Sequence, residues 1–358
     1  MIDQANAFAL LGKPASCTRY GFGHINETYL LTTDEGHVYI LQKINRRVFN
    51  DVPALIGNIA AVTQHLARAD ADPRHVLALC PTLTGELFHA DDMGEFWRVY
   101  TFITGSICLQ QAQSAADFYQ SGCAFGMFQT MLADFPAETL AETIPRFHDT
   151  LHRYTAFHSA LANEAAGRAA QARREVDFAL ARETEAGRMV AMQRSGALPL
   201  RVTHNDTKLN NVMLDAATRE ALCVIDLDTV MPGLAGNDFG DSIRFGATTA
   251  AEDEPDLALV RLSLPLYEAY AKGFLGACGE RLIPAEIDTL PLAAKLMTLE
   301  CGVRFLTDYL CGDVYFHTVR PGQNLDRART QFKLVAEMER HWQQMADIVG
   351  ATARERGA

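Results

Sequence analysis

The sequence predicts an α+β protein of two lobes, a small antiparallel β-sheet lobe followed by a larger, mainly helical one. Three observations carry this. Before residue 104, β-branched and aromatic residues alternate with polar ones in short runs broken by glycine turns, the pattern of hairpins. After residue 115, apolar residues recur at helical spacing through long stretches poor in proline. Among those helical stretches sits one strand–turn–strand unit, VTHNDTKLNNVMLDAATREALCVIDLDTV at 202–230, with polar side chains gathered at one end.

In chain order, residues 1–20 read as a short helix and lead-in. The stretch RYGFGHINETYLLTTDEGHVYILQKIN then forms a hairpin. Its turn glycines, Gly21 and Gly23, let backbone N–H groups approach phosphates with no Cβ in the way, and an ordinary hairpin turn is the alternative. Lys43, on the strand YILQKI, is the expected phosphate partner. A shift of one residue in register would put Gln42 in its place. Residues 51–68 read as a helix by the spacing of Leu55, Ile59, Val62 and Leu66, and contain no Glu to pair with Lys43; Asn58 and Gln64 are the substitutes available. GELFHADDMGEFWRVYTFI reads as a hairpin around Asp92–Gly94. Its last strand runs into a linker where the backbone from Tyr100 through Phe102 to Ile103 can hydrogen-bond an adenine ring. Gly105 is a hinge, which places the lobe boundary near residue 104: residues 1–104 form the nucleotide-binding lobe and 105–358 the catalytic and substrate-binding lobe.

The second lobe opens with a helix carrying Phe118, Ala124, Phe128 and Met131 on one face. Two helices are expected across 151–195. His148 and Asp149 face a substrate or cap a helix start. Further helices fill 255–311, where Met297, Cys301, Arg304 and Asp308 share a stripe, a placement that also suits an Arg304–Asp308 ion pair. Residues 327–349 read as one core helix, and the last seven residues as a frayed end.

The chemistry concentrates in 202–230. Asp206 is followed five residues on by Asn211, and Asp226 ends the next apolar run. Phosphoryl transfer needs a carboxylate to orient an attacking hydroxyl, and an amide oxygen and a second carboxylate to hold magnesium on a triphosphate. Kinase-type sites use this order and spacing. Lys208, two residues after Asp206, sits where many protein kinases carry a lysine near the transferred phosphate. A surface hairpin with Asp and Asn as turn residues is the plain alternative, but it leaves the loop before Asn211 unexplained. Asp238-Phe239-Gly240 spells a metal-binding motif of protein kinases, yet follows a loop rather than a strand. Asp238 is therefore expected to cap or pin the loop that follows it.

Composition narrows the class further. Lys and Arg number 32 against 44 Asp and Glu, a net charge of −12, which argues against a nucleic-acid binder. The eight cysteines show no C-x-x-C spacing, so a zinc site and a disulfide scaffold are not expected. No basic, apolar leader and no apolar run of about 18 residues is present, which predicts a cytoplasmic protein with no membrane partner. No protein partner is implied.

The motifs GFGHINETY, VYILQKIN, HNDTKLNN and VIDLD, in that order, resemble the aminoglycoside phosphotransferase/choline kinase-like superfamily. Within it the chain looks most like the N-acetylhexosamine 1-kinases, through AFGMFQ, ETIPRFHDT, NDFGDSIRFGA and ECGVRFLTDYLCGDVYF. The resemblance implies a bilobal protein-kinase-like fold that uses ATP and Mg2+ to phosphorylate the anomeric hydroxyl of N-acetylglucosamine or N-acetylgalactosamine. It implies Asp206 as base with Lys208 beside it, and Asn211 and Asp226 on magnesium. Gly21, Gly23, Asn26, Lys43, Tyr100 and Phe102 then line the nucleotide, and Phe245, Arg304 and Tyr315 the sugar. A kinase of the same fold acting on homoserine, an amino alcohol or an aminoglycoside is the main alternative. A non-catalytic nucleotide-binding module is the other, which intact Asp206, Asn211 and Asp226 oppose.

Overall fold

The structure, a computed structural model, describes residues 2–21, 23 and 25–355; Phe22 and His24 of the expected glycine turn lie outside the described residues. Helix α1 (Ile2–Ala5) leads into a sheet of six strands: β1 (Pro14–Arg19), β2 (Glu27–Thr33), β3 (Val38–Lys43), β4 (Leu79–Cys80), β5 (His89–Ala90) and β6 (Phe96–Thr101). Their order is β1-β2-β3-β6-β4, with β5 on β6 and every pair antiparallel. Strand β1 replaces part of the expected lead-in. Its sequence, PASCTR, carries no apolar alternation because it is a mostly exposed edge strand.

Both faces of this sheet are covered. On one, Tyr29, Leu31, Tyr39, Leu41, Trp97 and Val99 pack with Ala5 and Phe8. The other meets helix α2 (Val52–Ala69) through Leu55, Ile59 and Val62, with Tyr100 among them. Asp51 starts α2 by accepting the Ala54 N–H at 3.0 Å.

The second half holds β7 (Ser106–Cys108), α3 (Ala115–Met131), α4 (Thr150–Asn163), α5 (Arg173–Leu180), α6 (Glu183–Ala186) and α7 (Arg188–Arg194). It continues through β8 (Arg201–Thr203), β9 (Val212–Asp215), β10 (Ala221–Val224), β11 (Met231–Gly233), α8 (Ala235–Gly246) and α9 (Leu264–Cys278). Three long helices close the chain: α10 (Pro284–Cys311), α11 (Gln323–Arg340) and α12 (Trp342–Glu355). Three expectations change here. Residues 151–195 make four helices rather than two, the apolar run 327–349 is broken at His341, and Thr352 and Ala353 are buried rather than frayed.

Glycines bring α3 and α9 into backbone contact. A Cβ on Gly126 of α3 would lie 2.5 Å from the Phe274 carbonyl of α9, and one on Gly273 would strike the Tyr119 carbonyl of α3. Against this pair α8 buries Phe239 edge-on to Tyr267, Tyr270 and Phe274. Helix α8 is thereby seated on the core, directly behind the 204–211 loop. No helix among the described residues is long and apolar enough to cross a membrane.

Candidate active site

Two antiparallel ribbons deliver the site. Strands β8 and β11 pair Thr203 with Met231, while β9 and β10 pair Val212 with Val224, so the loop after β8 and the segment after β10 emerge side by side. His204 is fully buried and joins them. Its Nε2 donates to the Ile225 carbonyl at 2.9 Å, and its Nδ1 accepts the Asp206 N–H at 3.3 Å, the tautomer that both bonds require.

Helix α8 fixes the loop from behind. Asp238 accepts the N–H groups of Asn205 (2.8 Å) and His204 (3.0 Å), and Asp241 accepts that of Thr207 (2.9 Å). Ser242 Oγ donates to the Thr207 carbonyl at 2.7 Å. Asp238 therefore pins the loop that precedes it in sequence, not the one that follows. His148 supports the same loop. Its Nε2 bonds the Asn205 carbonyl at 3.2 Å and its Nδ1 bonds Glu300 of α10 at 2.9 Å, while Asp149 caps α4. Both side chains are engaged within the protein, Asp149 in the helix start that was one of its two expected roles.

So braced, Asp206 presents its carboxylate with 27 % of the side chain exposed, 2.8 Å from Lys208 Nζ. Burial would raise this carboxyl, but Lys208 outweighs it and holds Asp206 below the usual carboxylate range. The Asn211 amide N–H2 turns to the Asp206 carbonyl (2.8 Å) and carboxylate (3.3 Å), which leaves Oδ1 of Asn211 for another partner.

Asp226 stands in left-handed backbone, φ 61°, a conformation that Asp tolerates better than most residues and that concentrates at functional sites. Its depth in the cleft, with Asp228 and then Asp206 nearby, raises its carboxyl to about 6. The residue is exposed by area, so solvent screens part of that repulsion. Among the described residues, no three carboxylate, imidazole or thiolate groups converge. One carboxylate, one free amide oxygen and an excess of negative charge nonetheless suit a hard divalent ion that takes its remaining ligands from phosphate and water.

On the sheet lobe, Gly21 has φ 75°, and a Cβ on either Gly21 or Gly23 would meet nothing within 4 Å. The space around these two glycines is thus open among the described residues. Tyr20 and Phe102 meet edge to face at 6.3 Å, joining the foot of the turn to the linker. The backbone of Tyr100 is committed to Ile40 and Leu79 in the sheet and the Ile103 carbonyl accepts Ser106 Oγ at 2.7 Å, so the linker groups left for a ring among the described residues are the Phe102 backbone and the Ile103 N–H.

Two expected nucleotide contacts are corrected. Lys43 shares the face of Tyr39 and Leu41, away from α2, and its ammonium lies 3.2 Å from Glu95 and 3.8 Å from Glu27. The opposite face of β3 carries Gln42, which accepts two bonds from Arg98 of β6. Asn26 is spent within the protein: Nδ2 donates to Asp228 at 2.5 Å and Oδ1 accepts the Asn45 N–H at 2.9 Å. Nor does Asn58 partner Lys43, since its amide clamps α2 to Ala141 and Val230. Arg98 and Asp228 were not singled out by sequence reasoning. The signal available was a lone arginine in the apolar strand FWRVYT, and the second acid of IDLD.

Across the cleft, Arg304 lies over the rings of Phe147 (5.2 Å) and Phe316 (5.5 Å), and among the described residues its guanidinium makes no hydrogen bond or ion pair. Asp308 is not its partner; that carboxylate collects the N–H groups of Val314, Tyr315 and Phe316. Tyr315, exposed, stands edge-on to Phe316 at 4.8 Å, beside Arg304. Phe245 is half-buried near the end of α8; Cys301 of α10 lies within the fields of both its neighbour Arg244 and Arg304. Arg153, bonded to the Phe147 carbonyl, is held below the ordinary arginine range by burial and by Arg304.

Solved structures share this architecture. A microcompartment-associated aminopropanol kinase superposes with a TM-score of 0.64 at 17 % identity, covering 96 % of this chain and 97 % of its own. An amicoumacin kinase in complex with AMP-PNP, Ca2+ and Ami gives 0.64 at 14 % identity, over 95 % and 92 % of the two chains. Choline kinase from Cryptosporidium parvum gives 0.57 at 14 %, over 94 % and 93 %. Residues 16–272, which include the whole constellation from the glycine turn to α8, match the family model described as the phosphotransferase enzyme family, APH, and the chain belongs to that family.

Proposed function

We propose that this phosphotransferase moves the γ-phosphoryl group of ATP to the anomeric hydroxyl of an N-acetylhexosamine, N-acetylglucosamine or N-acetylgalactosamine. The observation that carries the acceptor class is the Arg304 fork between two aromatic rings, without a hydrogen bond or ion pair among the described residues. A guanidinium so placed can donate to sugar oxygens or an acetamide carbonyl, while Tyr315 and Phe245 offer aromatic faces to the ring and the acetyl methyl. The fold neighbours include kinases of small alcohols, among them aminopropanol and choline kinases. Against a cationic amino alcohol stand the two guanidinium groups of Arg304 and Arg153 on this side of the cleft.

In the mechanism, Asp206 orients the 1-hydroxyl and accepts its proton as the sugar oxygen bonds to the γ-phosphorus and the bond from that phosphorus to the β-phosphate bridge oxygen breaks. Lys208 keeps Asp206 ionised beforehand and offsets charge at the transferred group. Asn211 Oδ1 and Asp226 would hold magnesium, which when bound neutralises phosphate charge. The backbone of Gly21 and Gly23, with Phe102 and Ile103 at the linker, would receive the nucleotide. Asp238, Asp241 and His148 hold the loop still, so most of the rate comes from positioning.

The test is transfer from Mg-ATP to N-acetylglucosamine, N-acetylgalactosamine, glucose, homoserine, aminopropanol and choline, with the product read by phosphorus NMR. A 1-phosphate formed from the acetamido sugars alone supports the proposal. Transfer to choline, aminopropanol or homoserine in preference would overturn the sugar assignment and keep the phosphotransferase.

A further inference from the structure

With Lys43 turned outward, the cleft face of the sheet has no lysine, among the described residues, for the phosphate end of the nucleotide. We propose that Arg98 does this work as a positioning residue. Through Asp228 it ties the end of the glycine turn and strand β3 to the segment carrying Asp226, and so presets the nucleotide–metal site. This role rests on the nucleotide-dependent transfer proposed above.

Arg98 is 1 % exposed, so its charge is tolerable only where it is paired with an opposite charge and hydrogen-bonded. Nη1 lies 2.5 Å from Asp228 Oδ1, Nε and Nη2 donate to Gln42 Oε1 at 3.0 and 2.8 Å, and the guanidinium lies over Tyr100 at 5.0 Å. The other Asp228 oxygen takes Asn26, at the end of the turn, and Gln42 Nε2 reaches Thr28 of β2 at 3.0 Å. One cation thus gathers β2, β3, β6 and the segment after β10, joining both lobes beside the candidate metal ligand. An ammonium could not reproduce it, because the two Gln42 bonds and the Asp228 contact use three nitrogens of one planar fork. At 1 % exposure the guanidinium offers a ligand no open face. Arg98 therefore acts on the nucleotide only through what it holds.

The experiment compares Arg98→Lys, Gln42→Leu and, on the outer face, Lys43→Met. Binding of AMP-PNP with Mg2+ is measured by calorimetry, KM is measured for ATP and for the acceptor, and amide hydrogen exchange is followed across residues 225–229. Arg98→Lys should weaken AMP-PNP binding by about 10- to 100-fold, the usual cost of losing a partner that orients a metal ligand. It should raise the KM for ATP far more than that for the acceptor, and speed exchange at 225–229, while Lys43→Met changes none of these. Should Arg98→Lys not fold, Gln42→Leu, which spares the ion pair, carries the same test with a smaller loss. A lowered melting temperature with AMP-PNP affinity unchanged would reduce Arg98 to a structural residue and overturn the role. So would a Lys43→Met variant with equal loss. Failure of the unaltered protein to bind AMP-PNP would overturn the nucleotide reading itself, whereas binding retained by every variant overturns only the role of Arg98.

Discussion

Asp238 Oδ1 accepts the backbone N–H of Asn205 at 2.8 Å, so the carboxylate of a DFG triplet serves as the backrest of the HND loop. Its second oxygen takes the His204 N–H and the Gln129 side chain. Asp238→Asn turns one acceptor into a donor facing donors and should cost about 3 kcal/mol of stability. Urea denaturation reads the loss, and kcat should fall with it while the KM for ATP holds.

Asp206→Asn removes the proposed proton acceptor and leaves the fold. Turnover should drop by about 10³ or more with AMP-PNP affinity near that of the wild type. Near-normal turnover would remove Asp206 from the role of base. Lys208→Met frees burial to act on Asp206, so the acid limb of the kcat/KM profile should move to higher pH.

Asp226 makes a prediction in pH. Its carboxyl, raised to about 6, has to be ionised to hold a divalent ion, so Mg-AMP-PNP affinity should fall as pH drops through 6. Without metal the sign reverses. A carboxyl raised on folding stabilises the protein below its ordinary value near 3.8, and this is lost as pH rises through 6. Asp226→Asn should therefore raise the metal-free melting temperature at pH 7.5 and leave it unchanged at pH 4, by differential scanning fluorimetry.

Arg304 has aromatic contacts and, among the described residues, no hydrogen bond or ion pair, so truncation should cost the fold little. Arg304→Met should shift stability by less than about 1 kcal/mol, while the KM for an acetamido sugar rises about 10- to 100-fold and that for ATP stays put. Steady-state kinetics with each substrate varied separates the two.

The crossing of α3 on α9 admits no side chain at Gly126 or Gly273. Gly126→Ala should destabilise by about 1–3 kcal/mol through overpacking, despite alanine's better helix propensity. Thermal unfolding decides it.

The two-lobed α+β plan was legible because hairpin and helix periods differ and occupy separate halves of the chain. The spacing of Asp206, Asn211 and Asp226 was legible too, since two adjacent ribbons deliver them. The facing of β3 was not. Both Tyr39/Leu41 and Ile40/Ile44 are apolar because the sheet is covered on both sides, so alternation could not choose between Lys43 and Gln42. Arg98 stayed hidden for a different reason: its partners come from β3 by register and from Asp228, 130 positions away in sequence, and neither link leaves a local pattern. The break at His341 was missed because the apolar spacing of α11 continues in phase into α12.

Asn205 and Asp226 both hold left-handed backbone, at φ 64° and 61°, inside loops whose hydrogen bonds are already made. The conformational cost of these two turns is therefore met once, when the chain folds. What remains for an arriving ligand is desolvation and contact. The heat-capacity change on nucleotide binding should then match the apolar surface the nucleotide covers, with no added contribution from ordering of the loops.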